Sequence, residues 1–268
     1  MPTSTASSKP LTYSDYLELE TLLDLQRPRS PKPEHDEHLF IVIHQVYELW
    51  FKQVLHELRR LAEVLTAGDS AGSLDTFHRV LTILKLLVAQ VDILETMTPV
   101  SFSSFRDRLE SGSGFQSFQF RELEFVLGYK RQSMVEHHPE GSPGRERLTK
   151  LMGEPTLYDS FLRFLMAHDF PVPTELLERD VRQPCPPSPE VQQILLSIYR
   201  SEPVLRMVCE RMVDFDEGLQ EWRYRHVKMV ERTIGTKRGT GGSEGAAYLK
   251  TTLFHPVFPD LWAIRSEL

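Results

Sequence analysis

An all-helical chain is expected on three grounds. Apolar residues recur at three- and four-residue intervals over long stretches, strand-like alternation is hard to find, and the proline- and glycine-rich breaks are few and widely spaced. The first stripe runs Phe40, Ile43, Tyr47, Trp50, Val54, Leu58 and Leu61. The second is Leu81, Leu84, Val88, Val91 and Leu94, and the third Phe215, Leu219, Trp222 and Met229. Each stripe is the buried face of a helix. Breaks at 27–36 (RPRSPKPEHD), 137–144 (HHPEGSPG) and 170–189 should be loops between helical blocks. A short helix is expected over 154–168, a Gly-rich turn over 239–245, and a docked tail in the aromatic segment LFHPVFPDLWAI. No repeat of solenoid length interrupts this order. Residues 1–10 read as a flexible arm, and nothing forces a split of 11–268, so a single helical domain is expected there.

Composition narrows the function classes. Hydrophobic residues at 40% and charged residues at 26% are ordinary globular usage, so a packed core should form. A net charge of -7 argues against a protein that neutralises nucleic-acid phosphates or anionic lipid. The first residues, MPTSTASSKP, hold no apolar run of the signal-peptide kind, and no apolar stretch approaches the roughly 18 to 20 residues of a membrane span. Only Cys185 and Cys209 are present, which fits a reducing, cytoplasmic setting and is too few for a disulfide framework or a thiolate zinc cage.

The stretch HDEHLFIVIHQVYELWFKQVLHELRRL, residues 35–61, looks like a metal site by its histidine count. Helical geometry rejects that. His38 and His44 lie about 120° apart on the wheel, and His38 and His56 share a face but sit about 27 Å apart along the axis. The H-E-x-x-H order is also missing. His44 stands apart, because Phe40, Ile41, Tyr47, Phe51 and Leu55 surround it on the wheel. Either its nitrogens find backbone or Glu48, or a ligand supplies the partner. An apolar pocket with one imidazole suits a flat aromatic molecule bearing an N–H.

His226 sits on the third stripe, between Trp222 and Met229. It is either a core histidine or an axial ligand for a haem iron, which needs a neutral imidazole among apolar walls. Arg223, Arg225, Lys228 and Arg232 nearby form a solvated face or pair with haem propionates. There is no C-x-x-C-H motif, so a haem would be non-covalent, and Cys185 is a weak rival ligand. Arg106 lies among Phe102, Phe105 and Leu109, where a guanidinium wants an anion: an internal acid such as Asp107 or Glu110, or a substrate carboxylate. Ser113 can cap the following turn or face a pocket. KRGTGGSEG, residues 237–245, fails both phosphate-loop patterns. It is a helix terminator and link, or a loop able to close over an anionic group with Thr240 and exposed amides.

Taken in order, LTYSDYL, HDEHLFIVIHQVYELWFKQVLHEL, FRDRLESGSGFQSFQFRELEFVLG, RHVKMVERTIGTKRGTGGSEG and FPDLW resemble the tryptophan 2,3-dioxygenase family from about Leu11 to Trp262. The resemblance implies an all-helical haem b protein, a homotetramer built as a dimer of dimers, with dioxygen as co-substrate. It implies cleavage of the indole ring of L-tryptophan or a substituted tryptophan to N-formylkynurenine at ferrous iron. Within it His226 is the proximal iron ligand, His44 meets the indole N–H, and Phe40 and Leu109 line the indole pocket. Arg106 and Thr240 hold the amino-acid end, Ser113 lies at the cofactor, and Tyr13 and Tyr16 reach into the neighbouring subunit's pocket. One position departs: Phe102 stands where the family usually has tyrosine. That leaves open a related activity, insertion of one oxygen to give a 2-oxindole. A non-catalytic haem sensor is a further alternative, against which His44, Arg106 and Thr240 together argue.

Overall fold

The computed structural model describes residues 10–32, 34–240 and 245–268, and among these only helices, turns and loops occur. The helices are α1 (Tyr13–Leu17), α2 (Leu19–Leu23), α3 (His35–Thr66), α4 (Ser70–Leu94), α5 (Pro99–Phe105), α6 (Phe118–Val126) and α7 (Gln132–Glu136). They continue with α8 (Pro143–Met152), α9 (Leu157–Ala167), α10 (Thr174–Leu177), α11 (Pro189–Ser201), α12 (Pro203–Ile234), α13 (Ala246–Lys250) and α14 (Pro259–Ala263). Single 3-10 turns cover Arg106–Leu109 and Gly114–Gln116.

Three long helices carry the three apolar stripes, and α4 packs against both α3 and α12. At one crossing Gly218 of α12 meets α4 so closely that a Cβ would lie 2.8 Å from Leu84 Cδ2. Leu58, Leu61, Phe77, Val80, Phe161, Phe164, Leu195, Val208 and Met212 are fully buried between these helices and α9 and α11.

The expected breaks give way to helix where capping chemistry favours it. The 27–36 loop ends at His35, because Asp36 and Glu37 favour the first turn of α3. The Glu37 carboxylate, 1% exposed, also accepts the backbone N–H of Arg29 at 2.6 Å and of Ser30 at 3.1 Å and ties the loop down. The 137–144 break ends at Pro143, which suits a first helical turn where no N–H is needed. One turn of helix, α10, interrupts 170–189. The helix expected over 154–168 is α9, opened by a Thr156–Asp159 capping box.

The aromatic tail is docked as expected. Asp216 accepts from Val257 N, Phe258 N and Trp262 Nε1, and Asp260 accepts from Tyr158 Oη, Ser188 N and Gln192 Nε2. The opposite terminus is not. Neither α1 nor α2 buries a residue, and Leu11, Tyr13, Tyr16 and Leu23 are each more than 70% exposed. Of the expected arm over 1–10, residues 1–9 lie outside the described residues. Among the described residues no helix is long and apolar enough to cross a membrane.

Candidate active site

A cavity of about 270 Å³ opens where α3, α4, α5, α6 and α12 converge on the loops at 106–117 and 239–240 and on α13. Phe40, His44, Phe102, Arg106, Leu109, Ser113, His226 and Thr240 all line it. Residues separated by up to 200 positions in sequence thus meet at one place. Among the described residues no group of three or more His, Cys, Asp or Glu is placed to hold a metal ion.

His44 is a wall residue with a defined tautomer. Its Nδ1 lies 2.7 Å from the Phe40 carbonyl oxygen, and a carbonyl only accepts, so Nδ1 carries the proton. Burial lowers its pKa, with the Phe40 carbonyl and Glu48 pulling partly the other way, so the neutral ring is favoured. Nε2 is then an unprotonated acceptor, which is what a substrate N–H requires. Glu48 does not serve as the hydrogen-bond partner of His44. Gln119 holds it from α6, donating to its carboxylate at 2.8 Å and its carbonyl at 2.9 Å.

His226 comes from α12. Burial first, then the nearby His44 imidazole and the positive fields of Arg223 and Arg121, lower its pKa to about 4, so this imidazole is also neutral. Cys185, the rival ligand, is not part of the cavity wall, and burial pushes its thiol up to about 11. Of the four basic residues near His226, three form surface ion pairs. Arg225 joins Asp92 and Glu95, Lys228 joins Glu231, and Arg232 joins Glu95. Arg223 alone turns inward, 6% exposed.

Arg223 belongs to a buried group that sequence periodicity did not single out. Glu124, 2% exposed, receives Arg121 at 2.6 Å, Arg131 at 2.9 Å and Arg223 at 3.1 Å. Burial would raise the Glu124 pKa, but the three guanidiniums outweigh it and lower it. Arg121, Arg223 and Glu124 line the cavity, two positive charges against one negative, while Arg131 stands behind the wall, and among the described residues the Nε atoms of all three arginines are buried without partners. A signal was present: Arg121 and Glu124 fall three apart in FQFRELEFV, between phenylalanines that had to be buried.

The remaining wall is made of loops. Arg106 donates to the Arg238 carbonyl and Thr240 to the Gly112 carbonyl, which joins the 106–112 and 237–240 segments. The expected alternative, an internal acid on Arg106, is absent: among the described residues no carboxylate pairs with it. The chain turns through Glu110 with φ 51°, a conformation L residues rarely adopt. Gly245 has φ 62°, and a Cβ there would lie 2.8 Å from Lys237 O, so glycine is what allows the loop to fold back on itself. Ser113 does both things expected of it, accepting Phe115 N at 3.2 Å as a cap and lining the cavity.

With this geometry in view, comparison with known proteins is specific. A family model described as tryptophan 2,3-dioxygenase matches residues 2–152 and 190–268. A protein of that name from Herpetosiphon aurantiacus is 58% identical over 261 residues, covering 97% of this chain and 100% of its own. Another from Anaeromyxobacter sp. strain K is 57% identical over 268 residues and 100% of both chains, and one from Caulobacter vibrioides is 43% identical over 261 residues, 96% and 98%. The chain belongs to the tryptophan 2,3-dioxygenase family.

Two features bear on that membership. Phe102, in place of the family's usual tyrosine, is not a gap in the wall: it is 9% exposed and packs 5.7 Å from Phe40 and 5.4 Å from Phe105, ring centroid to ring centroid. Phe102 and Arg106 thus line the same cavity, an apolar ring beside a guanidinium. Tyr13 and Tyr16 do not reach the cavity of their own chain.

Proposed function

We propose that this protein cleaves the indole ring of L-tryptophan, adding both atoms of dioxygen across the C2–C3 bond to give N-formylkynurenine. The observation that carries the reading is a single cavity lined by two neutral imidazoles, His44 and His226, and by Arg106. The reading draws further support from the relatives of the same name.

The residues present fit a haem. The walls are mainly apolar, a neutral imidazole stands among them, and Arg121 and Arg223 bring one more charge than Glu124 cancels, with buried guanidinium N–H groups that suit a cofactor bearing carboxylates. His226 would hold the iron, and Arg121 and Arg223 would hold the propionates, with Ser113 nearby. Haem, when bound, supplies the ferrous iron at which dioxygen is activated. The chain's own residues do the rest. Nε2 of His44 accepts the indole N–H and orients the ring, Phe40 and Leu109 enclose it, and Arg106 and Thr240 exchange their carbonyl partners for the substrate carboxylate and the amino-acid end. The charged pair is the stronger bond, which favours that exchange. The aromatic trio Phe40, Phe102 and Phe105 keeps water from the reacting edge.

The exposed apolar residues of α1 and α2 fit a homotetramer, a dimer of dimers in which Tyr13 and Tyr16 complete the neighbour's cavity. The two free cysteines fit a cytoplasmic setting. Turnover of L-tryptophan by haem-loaded protein tests the activity: ring-opened product should form in air, and His44→Ala should lower kcat/KM by roughly 10- to 100-fold. Absence of ring-opened product from the unmodified protein would overturn the proposal.

A further inference from the structure

Trp222 lies one helical turn before His226, and its indole stacks on the imidazole with ring planes 3° apart and centroids 5.3 Å apart. Three more rings pack on the indole: Phe120 at 5.1 Å, Phe51 edge-on at 6.2 Å and Tyr47 edge-on at 6.4 Å. Trp222 is 8% exposed, so this packing is complete. Among the described residues its Nε1–H has no hydrogen-bond partner, so what holds the indole is this ring packing, with Tyr47 reaching it from α3. Tyr47 in turn donates to the Leu87 carbonyl at 2.7 Å. A connected path therefore runs from α4 through Tyr47 and Trp222 to His226. The adjacent Arg223 is pinned by Glu124, which holds the same turn of α12 from a second direction.

A histidine that binds a metal is usually oriented by a hydrogen bond from its other ring nitrogen to a carboxylate or carbonyl. No such protein bond to the His226 ring is present among the described residues, and the flat contact with Trp222 takes its place. We propose that Trp222 is a positioning residue that fixes the plane and tilt of the His226 imidazole, and that Tyr47 anchors Trp222. The inference rests on the reading of His226 as the axial ligand. Imidazole orientation sets how the ring nitrogen meets the iron, so a loosened ring would spread the ligation over several geometries.

The test is resonance Raman spectroscopy of the ferrous, haem-loaded protein, which reads the iron–histidine stretch directly. The unmodified protein and Trp222→Phe, which keeps a flat face, should each show one narrow band. Trp222→Leu should show a shifted or broadened band, with kcat lower by about tenfold and KM for tryptophan within about twofold. Tyr47→Phe should broaden the band to a smaller degree, and it decides the matter if Trp222→Leu does not fold. A band in Trp222→Leu, or in Tyr47→Phe where that variant decides, that matches the unmodified protein overturns the positioning role while leaving the ligand assignment intact. An iron–histidine band that persists in His226→Gly overturns the ligand assignment itself.

Discussion

The two walls of the cavity differ in how their charges are satisfied. On the helical wall, Glu124 gathers Arg121, Arg131 and Arg223, Gln119 holds Glu48, and Trp222 braces His226. On the loop wall, among the described residues, Arg106 and Thr240 donate to backbone carbonyls and to no carboxylate, beside a turn strained at Glu110. The helical wall has its internal charge in place and shows an excess of positive charge to whatever fills the cavity. The loop wall holds bonds that a carboxylate can replace. One wall is built to bind something permanently, and the other to exchange.

The largest effect should come from breaking the helical wall at its centre. Glu124→Gln leaves two buried guanidiniums, Arg121 and Arg223, and the half-buried Arg131 without their countercharge, and loss of one partner from a buried ion network costs about 3 to 5 kcal/mol. Chemical denaturation should report that loss. A cost below about 1 kcal/mol would show that the arginines find other partners, and the contrast between the walls would fail.

On the loop wall the damage should fall on binding. Arg106→Gln removes a charged hydrogen-bond donor worth about 1.5 to 3 kcal/mol, so kcat/KM for tryptophan should fall about 10- to 150-fold with fold stability unchanged. Binding of 3-methylindole, which lacks the amino-acid group, should be unaffected by the same change. Equal losses for both ligands would mean that Arg106 shapes the pocket and does not hold the carboxylate.

Outside both walls, the scaffold under α9 has its own pH signature. Burial would raise the Asp159 pKa, but Arg179, the Thr156 N–H and the Thr156 hydroxyl lower it overall. A carboxyl with a depressed folded pKa stabilises the fold above its unfolded value of about 3.9, and this is lost as pH falls through the lower folded value. Asp159→Asn should therefore cost about 1 to 3 kcal/mol at neutral pH, and the difference from the unmodified protein should shrink below about pH 4. Denaturation curves across that range check it, and a difference that does not shrink as pH falls below about 4 would contradict it.

The smallest effect is expected at Phe102. Its ring is already enclosed by Phe40 and Phe105, so Phe102→Tyr should change KM for tryptophan by less than about fivefold, roughly 1 kcal/mol. A larger gain would place the added hydroxyl on the substrate and assign the floor of the loop wall a polar role.

These two walls were unequally legible in the amino-acid order. Phe40, His44, Trp222 and His226 lie on apolar stripes, and a 3.6-residue period is visible wherever a helix buries one face. Even so, the period could not tell a core histidine from a ligand. The tautomer of His44 and the place of both histidines on one cavity wall are products of tertiary packing. The Arg121, Glu124, Arg131 and Arg223 group was hidden because charged residues in a helix are normally read as its solvated face. Only the convergence of α6, α12 and the residue before α7 makes them internal. Arg106 stood out as a guanidinium among phenyl rings and Thr240 as part of a Gly-rich loop, each with alternatives open, and the role at the amino-acid end came from family resemblance and not from periodicity, since loops carry no repeat. The resemblance also singled out Tyr13 and Tyr16, which a single chain leaves exposed.

The most direct measurement is mass analysis of the product formed from L-tryptophan by haem-loaded protein under ¹⁸O-labelled dioxygen. Cleavage at this cavity predicts a ring-opened product carrying two labelled atoms from the same dioxygen molecule. A product with an intact ring and a single labelled atom would contradict it.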